Sequence, residues 1–261
     1  MSSQSFQIIS TLRYDPNLPR AVNSLRHVGA RAFPASLRTP YYLLPYHQDR
    51  LRNAAQYFRW SNASRFLEQD LAQFTQYLDS FIPHKGQCWR LRIVVDQNGG
   101  CNVEATPTAP IELENFFVPF MISPDIPRWR VLVDTNSTVP SGLTTYKTTA
   151  REDYTAARAR VGLVSLQDAT EVLLVNPNYE VMEGSITTPY LRRRKHSGED
   201  GPEWITPPLS SGGNAGTSRR YALDEGFCAE QVIKIGDLVD GEVCMLSNAV
   251  RGFFVGHIAL K

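Results

Sequence analysis

The sequence lacks several features that would settle its function class at once. Its 27 basic and 26 acidic residues nearly cancel, which argues against a nucleic-acid binder that works through bulk charge. No stretch approaches the roughly 18 apolar residues of a membrane-spanning helix, so we expect no membrane partner and a cytoplasmic location. With 42% hydrophobic residues, the composition is that of a globular chain, not a disordered one.

Signatures of common enzyme classes are also missing. The four cysteines, Cys88, Cys101, Cys228 and Cys244, include no pair at zinc-ligand or redox-motif spacing, so we expect reduced thiols and no metal. The sequence contains no Gly-x-Ser-x-Gly turn, no Walker loop and no Gly-x-Gly-x-x-Gly motif. Their absence argues against a serine hydrolase with a Gly-x-Ser-x-Gly turn, a P-loop enzyme and a dinucleotide-binding domain.

The hydrophobic pattern predicts strands and helices in alternation. Strands are expected over Phe6–Tyr14, Tyr41–Leu44, Trp89–Val95, Cys101–Ala105, Arg128–Asp134, Glu171–Val175, Val181–Gly184, Thr187–Leu191, Gln231–Ile235, Glu242–Ser247 and Phe253–Ala259. Helices are expected around Leu51–Phe58, over Ala63–Phe81 with Asn62 as N-cap, and over Glu152–Val161 and Gly216–Glu225. The turn Gln97-Asn-Gly-Gly100 predicts that the strands Trp89–Val95 and Cys101–Ala105 form a hairpin. Proline and mixed polarity dominate from Thr106 to Pro127, which predicts a connection between domains. We therefore expect an α/β (α+β) fold with a small α+β domain, residues 1–122, and a larger β-rich domain, residues 123–261.

Lysine is rare in this chain, since arginine supplies most of the 27 basic residues. Among the lysines, Lys147 is distinctive because it lies in the hydroxyl-rich segment Leu143–Ala150, between a predicted strand and a predicted helix. An amine that is partly desolvated there would have a lowered pKa and could act as a nucleophile. A surface lysine at a strand end is the alternative interpretation of this residue taken alone.

Two further features complete a possible chemical set. Glu183 ends a predicted strand, and the Gly-rich turn Ser210–Gly216 opens a predicted helix at Thr217. Free N–H groups at such a helix start, with hydroxyls beside them, suit a phosphate. A lysine, a strand carboxylate and an anion cradle are the parts that a pyridoxal phosphate site requires. Each fragment alone is also compatible with an exposed strand residue or an ordinary helix cap.

The order of these motifs resembles the fold-type IV pyridoxal-phosphate enzymes. This family includes branched-chain and D-amino-acid aminotransferases and 4-amino-4-deoxychorismate lyase. The resemblance extends over most of the chain from Phe6 onward and rests on five motifs: Tyr46-His47-x-x-Arg50-Leu51, Lys147, Glu183, Gly216-Thr-Ser-Arg219 and Ser247-Asn-Ala249. Within the family, Thr144–Tyr154 and Thr11–Asp15 look most like the fungal aminodeoxychorismate lyases.

The resemblance implies a role for each matching residue. Lys147 would hold pyridoxal 5'-phosphate as the Schiff-base lysine and then move the proton, and Glu183 would pair with the pyridine nitrogen. The phosphate would be bound by a set of residues at the motif positions: Arg50, Gly216, Thr217, Ser218 and Asn248. Tyr154 would lie near the ring hydroxyl, although its offset from Lys147 is two residues longer than usual. The resemblance also implies a homodimer.

The sequence departs from the family pattern where substrate is recognised. Thr188 stands where relatives usually have asparagine, and the loop Gln97–Cys101 lacks the arginine that relatives often use. Arg13 and Arg151 are our candidates for the carboxylates of the small-molecule substrate. The preferred hypothesis is a 4-amino-4-deoxychorismate lyase that makes p-aminobenzoate and pyruvate for folate biosynthesis. An aminotransferase for branched-chain or D-amino acids and a degenerate, non-catalytic cofactor-binding protein remain alternatives.

Overall fold

The computed structural model describes residues 5–20, 38–119, 128–165, 168–194 and 202–260 of the 261-residue chain. The residues divide into two compact units. The first unit contains the described residues up to Phe117 together with two short later segments, Tyr146–Ala150 and Ala249–Arg251. The second contains the remainder of the described chain.

Among the residues that the structure describes, a three-stranded antiparallel sheet and three helices between residues 44 and 79 form most of the first unit. The strands are β1 (Ile8–Tyr14), β2 (Trp89–Val95) and β3 (Cys101–Pro107), in the spatial order β1-β2-β3. The helices are α1 (Leu44–Tyr57), α2 (Ser61–Leu67) and α3 (Leu71–Asp79). A 3₁₀ turn follows at Leu113–Phe116.

One face of this sheet packs against the helices. Because side chains alternate along a strand, Ile8 and Leu12 of β1 share a face with Val95 and Leu91, their respective partners across the β1–β2 ladder. These residues join one buried cluster with side chains from the helices, including Leu51, Ala54, Leu67, Phe74 and Leu78. Burial of this apolar face is the main stabilising contribution to the first unit.

An eight-stranded mixed sheet dominates the second unit. Its strands are β4 (Trp129–Ser137), β5 (Thr170–Val175), β6 (Val181–Gly184), β7 (Thr188–Arg192), β8 (Trp204–Thr206), β9 (Cys228–Glu230), β10 (Val243–Asn248) and β11 (Gly252–Ile258). Their spatial order is β6-β5-β4-β11-β10-β7-β8-β9. Strand β4 is parallel to both of its neighbours, whereas the β10–β11 and β7–β10 pairs are antiparallel.

Short helices connect these strands. The one-turn helix α4 (Gly142–Thr145) and α5 (Glu152–Arg160) lie in the β4–β5 connection, and α6 (Thr217–Asp224) lies between β8 and β9. Two 3₁₀ turns complete the unit, at Leu209–Ser211 and Ile235–Asp237. Among the described residues, every helix is too short or too polar to span a bilayer.

The fold class predicted from the sequence is confirmed: an α/β (α+β) chain with a small antiparallel sheet and a larger β-rich unit. The hairpin of β2 and β3 also lies where it was predicted. The expected domain boundary at residue 122 lies within 120–127, outside the described residues. The segment Tyr146–Ala150, expected with the C-terminal domain, is grouped with the first unit because it pairs with β1.

Three element predictions were wrong. The strand expected over Tyr41–Leu44 is absent, since Leu43 has a left-handed backbone (φ 57°) and Leu44 already begins α1. The single helix expected over Ala63–Phe81 is two helices, and Trp60, not Asn62, occupies the N-cap position. The strand expected over Gln231–Ile235 lies a few residues earlier, as β9.

Candidate active site

The segment that carries Lys147 lies along the outer edge of β1. The Ile9 N–H donates to the Lys147 carbonyl, and the Thr149 N–H donates to the Gln7 carbonyl, both at 2.9 Å. The Gln7 N–H in turn donates to the Thr149 hydroxyl at 2.9 Å. These bonds fix the backbone on both sides of Lys147, and a site residue held on a sheet edge is placed more exactly than one on a free loop.

A buried polar cluster in the same unit contains Arg50. Arg50 Nη2 donates to the Ser10 hydroxyl at 2.6 Å, and that hydroxyl lies 2.7 Å from Nδ1 of the fully buried His47. Burial, together with the positive charges of Arg50 and Lys147, lowers the pKa of His47 well below its ordinary value. The neutral imidazole therefore shares one electrostatic environment with two of the predicted site residues.

Glu183 lies in β6 of the second unit, where two donors meet one of its oxygens. The Tyr154 hydroxyl donates to Glu183 Oε1 at 2.5 Å, and the Asn214 backbone N–H donates to the same oxygen at 3.0 Å. Burial and the adjacent carboxylate raise the pKa of Tyr154 well above its ordinary value, so the phenol keeps its proton. The structure thus brings together two of the predicted cofactor residues, Tyr154 and Glu183.

The start of α6 has the chemistry of an anion site. Gly216 occupies the N-cap position, and no side chain caps the helix there. Thr217 and Ser218 are buried, and the Ser247 hydroxyl donates to the Ser218 hydroxyl at 2.8 Å. A β-carbon at Gly216 would lie only 3.1 Å from Thr188 Oγ1. N–H groups of a first turn beside buried hydroxyls are the donor set that a phosphate group requires.

The other predicted residues have polar partners of their own. Asn248 Nδ2 donates to the Ile186 carbonyl at 3.4 Å, and Arg151 Nη2 donates to the Ser185 carbonyl at 2.7 Å. Arg13, only 1% exposed, donates through Nε to Asp15 at 3.0 Å. Its Nη2 donates to the Ala109 carbonyl at 2.8 Å. Roles for Arg13 and Arg151 on a substrate therefore stay predictions.

Sequence reasoning missed Glu171, which organises the turn after Glu183. Its carboxylate is fully buried and accepts hydrogen bonds from the amides and hydroxyls of the turn: Ser185 N at 2.9 Å, Ser185 Oγ at 2.6 Å, Ile186 N at 3.1 Å and Thr187 Oγ1 at 2.7 Å. A β-carbon at Gly184 would lie 2.9 Å from Glu171 Oε2. The only sequence signal was an acidic residue at the start of an apolar strand, and that pattern does not indicate which groups it meets.

Comparison with known proteins identifies the family of the chain. A family model described as amino-transferase class IV matches residues 34–256. The chain belongs to this family. Aminodeoxychorismate lyase of Saccharomyces cerevisiae is 27% identical over 260 residues, and the match covers 85% of this chain and 68% of the yeast protein.

Solved structures show the same fold. A Mesorhizobium loti protein, provisionally described as an amino-acid aminotransferase, matches with a TM-score of 0.69 at 23% identity and covers 97% of this chain and 100% of its own. The 4-amino-4-deoxychorismate lyase of Pseudomonas aeruginosa matches with a TM-score of 0.60 at 17% identity, covering 97% and 83%. At these identities the structures show the class IV fold, which lyases and aminotransferases share.

Membership of the class IV family identifies a fold-type IV enzyme of the pyridoxal-phosphate class. The side chains present fit that cofactor: the first unit offers a lysine amine and an arginine, and the second offers a carboxylate held by two donors and an uncapped helix start with buried hydroxyls. In chemical type, these groups are the amine, carboxylate and phosphate partners that the cofactor needs.

Proposed function

We propose that the protein is a 4-amino-4-deoxychorismate lyase, which releases p-aminobenzoate and pyruvate in the synthesis of folate. The observation that carries the proposal is the similarity to the yeast aminodeoxychorismate lyase, 27% identical across 85% of this chain. The fold-type IV motifs around Lys147 and Glu183 support it.

Pyridoxal 5'-phosphate, when bound, supplies an electron sink next to the carbon that bears the substrate's amine. In our proposal, the Lys147 amine would hold the cofactor and, when free, would take the proton from that carbon as a general base. The enolpyruvyl group would leave the adjacent carbon with its ether oxygen and take up a proton to become pyruvate. The ring becomes aromatic in this elimination, so the step is effectively irreversible.

Glu183 has a separate task in this scheme. Its carboxylate holds a proton at the pyridine nitrogen, which requires that the carboxylate be ionised and correctly oriented. The two donors on Glu183 Oε1, Tyr154 and the Asn214 amide, favour the ionised form because hydrogen bonds to a carboxylate stabilise its charge.

A third group of residues binds the cofactor's phosphate group in this scheme. We assign that role to Arg50, Thr217, Ser218 and Asn248, with Gly216 leaving room at the helix start. The Ser10 hydroxyl that accepts from Arg50 restrains the guanidinium without adding a negative charge that would compete with a phosphate. Ser247 does the same for the Ser218 hydroxyl.

The deciding experiment supplies 4-amino-4-deoxychorismate to the cofactor-loaded enzyme with no keto acid present. Equal release of p-aminobenzoate and pyruvate over many turnovers supports the lyase. A parallel reaction contains leucine or D-alanine with 2-oxoglutarate. Amino transfer there, without release from aminodeoxychorismate, would favour the aminotransferase, and cofactor binding with neither reaction would favour the non-catalytic alternative.

A further inference from the structure

The hydroxyl of Tyr154 contacts Glu183, although the family resemblance predicted that Tyr154 would lie near the cofactor's ring hydroxyl. It donates to Glu183 Oε1 at 2.5 Å, and the Asn214 amide donates to the same oxygen. Because the pKa of Tyr154 is raised, the phenol keeps its proton and remains a donor. The contact is therefore a charge-assisted hydrogen bond, among the stronger kinds that proteins make.

Packing holds the Tyr154 ring in this position. The ring is 3% exposed and lies in a buried cluster with Ala157 of α5 and Val172 and Leu174 of β5. The Arg151 guanidinium carbon lies 3.7 Å from the ring centroid. Arg151 is itself tied to the turn after β6 by its bond to the Ser185 carbonyl. A cation over a phenol ring is attractive in itself and also strengthens the phenol as a donor.

The second donor is equally constrained. A β-carbon at Gly213 would lie 2.3 Å from the Met182 carbonyl oxygen, so the absence of a side chain there lets the loop approach β6 closely. The Asn214 side chain donates to the Thr144 carbonyl at 3.3 Å. The Asn214 amide is thereby directed at the Glu183 carboxylate from a fixed loop.

We propose that Tyr154 is a positioning residue that acts through Glu183, with Arg151 fixing its ring, and that it is not a ligand of the cofactor's ring hydroxyl. This inference rests on the proposed cofactor chemistry but not on the lyase reaction. It also assigns Arg151 a place in this array in preference to substrate recognition.

A double-mutant cycle tests the inference on the cofactor-loaded protein. Tyr154→Phe is made alone and in combination with Glu183→Gln. The readouts are the cofactor dissociation constant and the midpoint of the pH titration of the bound cofactor's visible absorbance. Loss of one hydrogen bond to a charged group corresponds to a weakening of cofactor binding on the order of tenfold. We expect this weakening and a shifted midpoint in the wild-type background, and less than about a twofold effect beside Glu183→Gln. An equal tenfold effect in both backgrounds would overturn the inference.

A cofactor analogue without the ring hydroxyl, 3-deoxypyridoxal phosphate, provides an independent test that needs no glutamate variant. The effect of Tyr154→Phe on affinity should persist with the analogue, since Tyr154 acts through Glu183. Disappearance of the effect would assign Tyr154 to the ring hydroxyl and refute the proposal.

Two further variants separate positioning from general damage to the fold. Tyr41→Phe removes the hydroxyl of another buried tyrosine, which donates to the Asp79 carboxylate at 2.6 Å. Neither Tyr41 nor Asp79 belongs to the proposed cofactor set. This variant should leave the cofactor spectrum unchanged, and a shift equal to that of Tyr154→Phe would contradict the proposal. Arg151→Met should shift the titration in the same direction as Tyr154→Phe but less. If wild-type protein gives no cofactor band, the proposed function fails too, whereas a band without lyase turnover leaves this inference standing.

Discussion

The charged side chains of the two units have different electrostatic surroundings. In the first unit, Arg50 and Lys147 surround a neutral His47 with positive charge, and the Ser10 hydroxyl is the acceptor for Arg50. In the second, the carboxylates of Glu171 and Glu183 are satisfied by hydroxyls and amides. These hydroxyls and amides hold the side chains in place and carry no opposite charge themselves.

Replacement of Lys147 should abolish covalent attachment of the cofactor. Lys147→Ala should lack the visible band of the lysine-bound cofactor, and borohydride reduction of the wild type should leave the label on Lys147, as peptide mass spectrometry can show. The matched control is Lys85→Ala, which removes an exposed lysine paired with Asp79. It should keep the band, and a label on any other lysine would contradict the assignment.

Buried His47 should make stability dependent on pH. Its pKa is lowered on folding, so the unfolded chain binds a proton that the folded chain does not. The free energy of unfolding should therefore have its full value above about pH 6.5, the ordinary histidine pKa, and should decrease as the pH drops below it. Urea unfolding at pH 7.5 and 5.5 measures the loss, which should be smaller in His47→Asn. An equal loss in that variant would assign the dependence to other groups.

Glu171 should be a large contributor to stability. Glu171→Gln replaces an acceptor with an amide that faces the donors of the turn, Ser185 and Ile186, so buried groups are left unsatisfied. We expect a loss of about 3 kcal/mol in the free energy of unfolding. Glu104→Gln, at an exposed ion pair with Arg92, should cost less than about 1 kcal/mol. Similar losses in the two variants would refute the role given to Glu171.

The site shows what residue patterns can and cannot predict. The lysine, the glutamate and the helix start could be named as candidates because each has a local sequence context. The Tyr154–Glu183 bond was not, because it joins residues 29 positions apart in sequence across two elements. The partners of Glu171 were hidden for the same reason, since only the β5–β6 pairing brings the turn to its carboxylate.

At the scale of elements, short strands bounded by turn residues were predicted best. The β2–β3 hairpin followed from alternation and an Asn-Gly turn, and β6 was predicted with its observed bounds, Val181–Gly184. The prediction of one helix over Ala63–Phe81 extended the periodicity through Glu68–Asp70, where the helix is in fact interrupted. Asp70 starts a new helix there, because its carboxylate accepts from the Gln73 N–H at 2.8 Å while Gln73 Oε1 accepts from the Asp70 N–H at 3.2 Å.

This capping box gives an element-scale prediction. Asp70→Ala removes the acceptor for the first turn of α3 and should lower the free energy of unfolding by about 1 kcal/mol. Asn62→Ala serves as the control, because Asn62 lies inside α2 and not at its cap. Its effect should stay within about 0.5 kcal/mol. Thermal or urea unfolding compares the two, and a larger loss in Asn62→Ala would contradict the assigned caps.

At the scale of the whole molecule, we propose the homodimer that the family resemblance implies. Light scattering of the purified protein at micromolar concentration should give a mass near twice the 29.3 kDa of one chain. The measurement should be made with and without the cofactor, since a ligand bound by the assembled form stabilises that form. A mass of one chain in both conditions would exclude the homodimer.

The outer edge of β1 pairs with segments that lie much later in the sequence. Backbone hydrogen bonds join Gln7 and Ile9 to Thr149 and Lys147, whereas Arg13 bonds to both Ala249 and the nearby Tyr42. During synthesis, therefore, the edge at Gln7 and Ile9 stays unpaired until more than a hundred further residues, up to Lys147, have been translated. Open edges invite pairing with other chains. We therefore expect a chain interrupted before residue 146 to aggregate more readily than the whole chain.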